Sequence, residues 1–141
     1  MLYLDASLLV ALHVLEAHSV DAANWMRSEP ADGFAMSEWT VTEFMSALSL
    51  KVRTKQISEL ERGRVADAFA EFTYPTVTLL DIDSADFRAA SRMVGRSETG
   101  LRAGDALHLA VALRHRVTIC TLDRTLSAAA LVFGVTGQLV A

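Results

Sequence analysis

The chain has 141 residues, 52% hydrophobic and 21% charged, with 17 acidic against 13 Lys and Arg side chains and a formal charge of −4. That length fits one domain, residues 1–141, large enough to bury roughly 68% of its unfolded surface. The hydrophobicity excludes intrinsic disorder, the acidic balance does not advertise an ordinary basic nucleic-acid surface, and the single Cys120 excludes a disulfide framework or a Cys-rich zinc site. No apolar run approaches the ~18 residues of a membrane span. The start, Met1 to Asp5, lacks a basic region and a small-residue cleavage site. A soluble, cytoplasmic protein without membrane contact is expected.

In chain order, Leu2–Asp5 reads as a short buried strand ending in an acid. Ser7 is placed to cap a helix from Leu8 to about Ala17, and Ser19 one from Val20 to Arg27. Phe34–Ser37 is a second strand, followed by helices over Glu38–Arg53 and Glu59–Phe72. Val77–Leu80, β-branched and apolar, is a third strand. Ser84 caps a helix to about Arg96, Ser97–Gly104 is a loop, and Ala106–His115 is helical. Val117–Leu122 has the strongest strand character, with Val, Thr and Ile in close succession. A helix over Leu126–Phe133 and a strand near Gln138–Val140 close the chain. Apolar strands alternating with helices predict a parallel sheet covered on both faces. In such folds ligands bind beyond the carboxyl ends of the strands.

Acids stand at those ends. Asp5 and Asp123 follow strands, Asp105 opens a helix after the glycine loop, and Glu43 lies among Val41, Phe44, Ala47 and Leu48. Carboxylates in apolar sequence need a cation or a hydrogen-bond donor, and converging hard oxygen ligands suit Mg²⁺ or Mn²⁺. Each acid also has a purely structural reading. Asp5 would turn the backbone, and Glu43 would form a capping box with Thr40. Asp105 would serve its helix dipole, and Asp123 would hold an Asx-turn.

The segments Tyr3–Val10, Thr42–Phe44, Leu101–Ala110 and Val117–Arg124 together resemble the PIN-domain family, and within it the VapC-type toxins of bacterial toxin–antitoxin pairs. The similarity runs over essentially the whole chain with the motifs in family order. It implies a three-layer α/β/α fold with a central parallel sheet and a metal-dependent ribonuclease. It maps the acidic motif onto Asp5, Glu43, Asp105 and Asp123 as catalytic residues and metal ligands. It matches Ser7 and Thr121 to hydroxyls that orient a carboxylate or a water. It also implies a VapB-like antitoxin that blocks the cleft, a homodimer or toxin–antitoxin assembly, and Mg²⁺ (or Mn²⁺) as cofactor. The expected reaction is hydrolysis of RNA phosphodiester bonds, with one or two ions activating water and offsetting charge on the leaving 3′ oxygen. The formal excess of four acids equals the four proposed ligands.

Other polar residues admit plainer roles beside functional ones. His108, three residues after Asp105, reads as a satisfied, partly buried histidine, with substrate contact or proton transfer as the alternative. Arg102 and Arg124 are placed to reach a phosphate. Arg88, Arg92 and Arg96 form a stripe, and Lys51, Arg53, Lys55, Arg62 and Arg64 a second basic region; both also read as solvated helix faces. No P-loop lysine, Gly-x-Gly-x-x-Gly or Gly-x-Ser-x-Gly occurs. A PIN-like binding module with little or no catalysis is the other functional class.

Overall fold

The computed structural model describes residues 1–29 and 33–141. Strands β1 (Leu2–Leu4), β2 (Phe34–Ser37), β3 (Val77–Leu80), β4 (Thr118–Thr121) and β5 (Gly137–Leu139) form one sheet in the order β3-β2-β1-β4-β5. All four pairings are parallel. Such strands cannot be joined by hairpins, so the connections carry helices: α1 (Ala6–His13), α2 (Ser19–Ser28), α3 (Glu38–Arg53), α4 (Glu59–Thr76), α5 (Ser84–Val94), α6 (Ala103–His115) and α7 (Arg124–Val132). A 3₁₀ turn, Ser97–Thr99, lies between α5 and α6. This is the expected three-layer α/β/α architecture.

Alternation along each strand divides the core. Tyr3 and Ile119 face a cluster with Leu109, Val111, Leu126 and Ala130, drawn mainly from α5, α6 and α7. Leu4, Met36 and Cys120 face the other cluster with Leu8, Leu9, Phe44, Leu48 and Phe69, drawn from α1 to α4. Phe44 and Phe69 stack at 4.0 Å between centroids, and the edge of His13 meets both. Among the described residues no helix is long and apolar enough to cross a membrane.

The topology selects one crevice. From β1 the chain proceeds to β2 on one side, whereas from β4 it proceeds to β5 on the other. The neighbours β1 and β4 therefore flank the switch point, where loops diverge and leave space at the carboxyl edge.

Several element ends differ from expectation. The cap of α1 is Asp5, not Ser7, because Asp5 Oδ1 accepts from the Leu8 N–H at 3.0 Å while the Ser7 hydroxyl turns back onto Asp5. Asp83, not Ser84, caps α5 and accepts from the Ala85 N–H at 2.8 Å. His18 precedes α2, while the Ser19 hydroxyl donates to the Val14 carbonyl. Helix α1 ends at His13, before the expected Ala17, and α6 opens at Ala103 rather than Ala106. Helix α4 continues beyond Phe72 to Thr76 and includes Pro75, whose missing N–H falls in the final turn.

Candidate active site

Asp5 leaves β1 at the switch point, next to the end of β4. Its backbone N–H donates to the Cys120 carbonyl at 3.2 Å, which extends the β1–β4 pairing to the acid itself. Its side chain accepts from the Ser7 hydroxyl at 2.8 and 2.9 Å, from the Leu8 N–H, and from the Thr121 hydroxyl at 2.6 Å. These are three donors for a carboxylate with about four acceptor sites. The residue is 5% exposed, and burial pushes its carboxyl above the ordinary value against the pull of those hydrogen bonds. Ser7 and Thr121 are also tied to the chain beyond β4: Ser7 Oγ accepts from the Leu122 N–H at 3.1 Å and Thr121 Oγ1 from the Asp123 N–H at 2.9 Å.

Asp123 caps α7, with Oδ1 accepting from Thr125 and Leu126 N–H groups at 2.7 and 3.1 Å. The structural reading of this acid is therefore realised through one of its oxygens. Asp105 lies in the first turn of α6, where the Arg102 N–H reaches Oδ2 at 3.4 Å. Partial burial raises its carboxyl, the Arg102 contact opposes this, and the negative charges of Asp123 and Glu43 add to the rise. Asp123 and Glu43 thus both lie within electrostatic reach of Asp105.

Glu43 projects from the second turn of α3, a helix that follows β2 with no intervening residue. Its Oε2 is 2.5 Å from His108 Nε2. His108 Nδ1 is 2.7 Å from the Tyr3 hydroxyl, which also lies 2.8 Å from Ser37 Oγ and 3.1 Å from Thr40 Oγ1. Burial pushes the Tyr3 phenol up to about 12, so it stays protonated at neutral pH. The bonds are satisfied together when Tyr3 donates to Nδ1 and Nε2–H donates to Glu43. His108 is 1% exposed and hydrogen-bonded on both nitrogens, as a satisfied histidine should be. Thr40 is the partner of Ser37, whose N–H it accepts at 3.3 Å, and not of Glu43.

Apart from the His108 imidazole on Glu43, the four acids meet no basic side chain among the described residues. Among the described residues none of Asp5, Glu43, Asp105 and Asp123 forms an ion pair with Lys or Arg. Among those residues no three ligating side chains already enclose a common ion position. The donor set nevertheless fits a hard divalent cation: it is all oxygen and partly desolvated, and the charges of Asp123 and Glu43 bear on Asp105. Arg102 and Arg124 are exposed beside Asp105 and Asp123. The other basic groups are partly engaged: Lys51 pairs with Glu16 at 3.0 Å, Arg62 with Glu59 at 2.7 Å, and Arg96 with Glu98 at 2.7 Å. A cleft of about 450 Å³ opens beside Ser7 and Asp123, lined by Ala6, Val10, Lys51 and Leu122.

Residue type and spacing did not reveal the bond between His108 and Glu43, or the role of Gly104. An ideal Cβ on Gly104 would lie 2.6 Å from Glu43 Oε1 and 3.2 Å from Trp39 Cζ2. A glycine in the first turn of a helix, where alanine is the better helix former, was the available signal.

The PIN domain family model matches residues 2–131. This chain belongs to the PIN-domain family. Solved structures share the fold at low identity. The VapC20 toxin of Mycobacterium tuberculosis, described as cleaving the sarcin–ricin loop, is 21% identical with a TM-score of 0.73, covering 92% of this chain and 95% of its own. FitAcB from Neisseria gonorrhoeae is 17% identical with a TM-score of 0.69, covering 97% and 96%. VapBC2 from Rickettsia felis, bound to a promoter DNA fragment, is 15% identical with a TM-score of 0.69, covering 98% of both chains. No curated protein sequence matches significantly. In this PIN domain Asp5 and Asp123 follow the two strands that flank the switch point, while Asp105 and Glu43 come from α6 and α3.

Proposed function

We propose that this PIN domain is a VapC-like toxin, an endoribonuclease dependent on Mg²⁺ or Mn²⁺ that hydrolyses RNA phosphodiester bonds and is restrained by a VapB-like antitoxin. The observation that carries the proposal is Asp5. It is a buried carboxylate at the switch point, without a basic partner among the described residues, fixed by Ser7, Leu8 and Thr121 and accompanied by Asp105, Asp123 and Glu43. A buried carboxylate carries a desolvation penalty, and capping α1 needs only one of the two Asp5 oxygens. The relatives support the biological setting, since VapBC2 was solved with promoter DNA and VapC20 is described as a toxin that cleaves the sarcin–ricin loop.

Asp5, Glu43, Asp105 and Asp123 would hold the ion. When bound, a divalent cation supplies charge stabilisation to the phosphoryl group and makes water acidic enough to act as a nucleophile near neutral pH. Ser7 and Thr121 keep Asp5 in one orientation, so little reorganisation accompanies loading. Asp123 uses Oδ1 for the α7 cap, so Oδ2 would serve as the ligand. Arg102 and Arg124, exposed on either side, would receive the phosphates flanking the scissile bond.

Induced expression without an antitoxin tests the proposal. Growth arrest that disappears in Asp5→Asn, at equal soluble protein, is the expected result. Arrest that persists in Asp5→Asn would show that the acids are not the toxic chemistry.

A further inference from the structure

Glu43 differs from the other three acids in its support. Asp5, Asp105 and Asp123 are short side chains that accept from backbone N–H groups at helix starts. Glu43 is a longer side chain in a helix interior, 29% exposed. Left alone it would sample many rotamers, and ordering it on ligand binding would carry an entropic cost.

We infer that Tyr3, His108 and Gly104 are positioning residues that clamp the Glu43 carboxylate from two sides in the orientation needed to receive a divalent cation. The inference rests on the metal-dependent reading of the site. On one side, His108 Nε2 meets Oε2 at 2.5 Å. The imidazole cannot rotate away, because Nδ1 is bound to Tyr3 at 2.7 Å and the ring is buried. Tyr3 is itself fully buried in β1 and held by Ser37 and Thr40, so Glu43 is referenced through two side chains to the central strand. On the other side, Oε1 occupies the space that a Gly104 side chain would fill. Gly104 lacks a positive φ, so its backbone conformation does not require glycine. The packing of Glu43 and Trp39 does.

The test is Mn²⁺ binding by titration calorimetry on the purified full chain, without RNA. Tyr3→Phe and Gly104→Ala should each weaken Mn²⁺ binding about 10-fold, the usual scale for groups that orient a ligand. Gly104→Ala should do so while the chain keeps a cooperative melting transition, which separates positioning from folding. In a Glu43→Gln background neither change should weaken Mn²⁺ further, as a coupled pair requires. Should Tyr3→Phe fail to fold, Gly104→Ala carries the test alone. Affinities within twofold of wild type in the folded variants would overturn the clamp. So would equal losses with and without the Glu43 carboxylate. Asp5→Asn distinguishes the two levels: loss of Mn²⁺ binding there, with none in the folded clamp variants, overturns the clamp and leaves the metal reading standing. A wild-type chain that binds no Mn²⁺ overturns both.

Discussion

Thr121 donates its hydroxyl to Asp5 Oδ2 at 2.6 Å, and its oxygen in turn accepts from the Asp123 N–H at 2.9 Å. A single buried hydroxyl therefore ties together the acids that end β1 and follow β4. Thr121→Val keeps the shape and removes both bonds, leaving a desolvated carboxylate and an unpaired N–H. Urea unfolding should show a loss of about 1–3 kcal/mol. Thr121→Ser, which keeps the hydroxyl, should retain most of that stability. Equal stabilities of Thr121→Val and wild type would contradict the role.

A second buried carboxylate has what Asp5 lacks. Asp86, 2% exposed, receives Arg114 Nε and a terminal guanidinium nitrogen, each at 2.8 Å. Burial alone would raise its carboxyl, but the Arg114 hydrogen bonds prevail and hold it below the ordinary 3.8. A depressed folded-state value means the contribution is fully present above 3.8 and lost as pH falls through the folded value. Arg114→Leu should destabilise the fold by about 1–3 kcal/mol at pH 7, because it leaves the buried carboxylate with only the Asp83 N–H. The difference from wild type should shrink on acidification below the ordinary Asp range. Melting curves of both proteins across pH check the sign.

Cys120 tests the other face of the sheet. Its thiol is fully buried in β4, and burial pushes it up to about 12. Native protein should resist iodoacetamide at pH 8 and become labelled in urea. Rapid labelling of the native form would mean that this cluster opens.

These features were unequally legible in the sequence. The strand positions could be read closely because strands of a parallel sheet are short apolar runs, buried in β1, β2 and β4 and partly exposed at the edges in β3 and β5. The four acids stood out at strand ends or in apolar surroundings. Helix starts were less determinate. Around Asp5 and Ser7 two oxygens compete within two residues, and the choice is made by Thr121, over a hundred positions away. The end of α4 was hidden by Pro75, which ordinarily stops a helix but here falls in the last turn, while the Val77 N–H still bonds to the Thr73 carbonyl. His108 looked like a core residue and is one. Its second identity, as the partner of Glu43 and Tyr3, depends on tertiary contacts 65 and 105 positions apart.

Asp123 is both a cap and a candidate ligand, and substitution separates the two. Asp123→Asn keeps the side-chain oxygen that accepts from Thr125 and Leu126, so stability should change by no more than about 0.5 kcal/mol. Asp123→Ala should lose about 1 kcal/mol. Both should lower RNA cleavage. An Asp123→Asn protein with full activity would reduce this acid to a cap.

Cleavage of single-stranded RNA by the purified chain, with Mg²⁺ or Mn²⁺ supplied and then chelated, bears most directly on the central claim. Wild type should cut with the ion, stop in EDTA and resume when the ion is restored, while Asp5→Asn and Asp105→Asn stay at background throughout. Undiminished cleavage by those variants, or by wild type in EDTA, would contradict it.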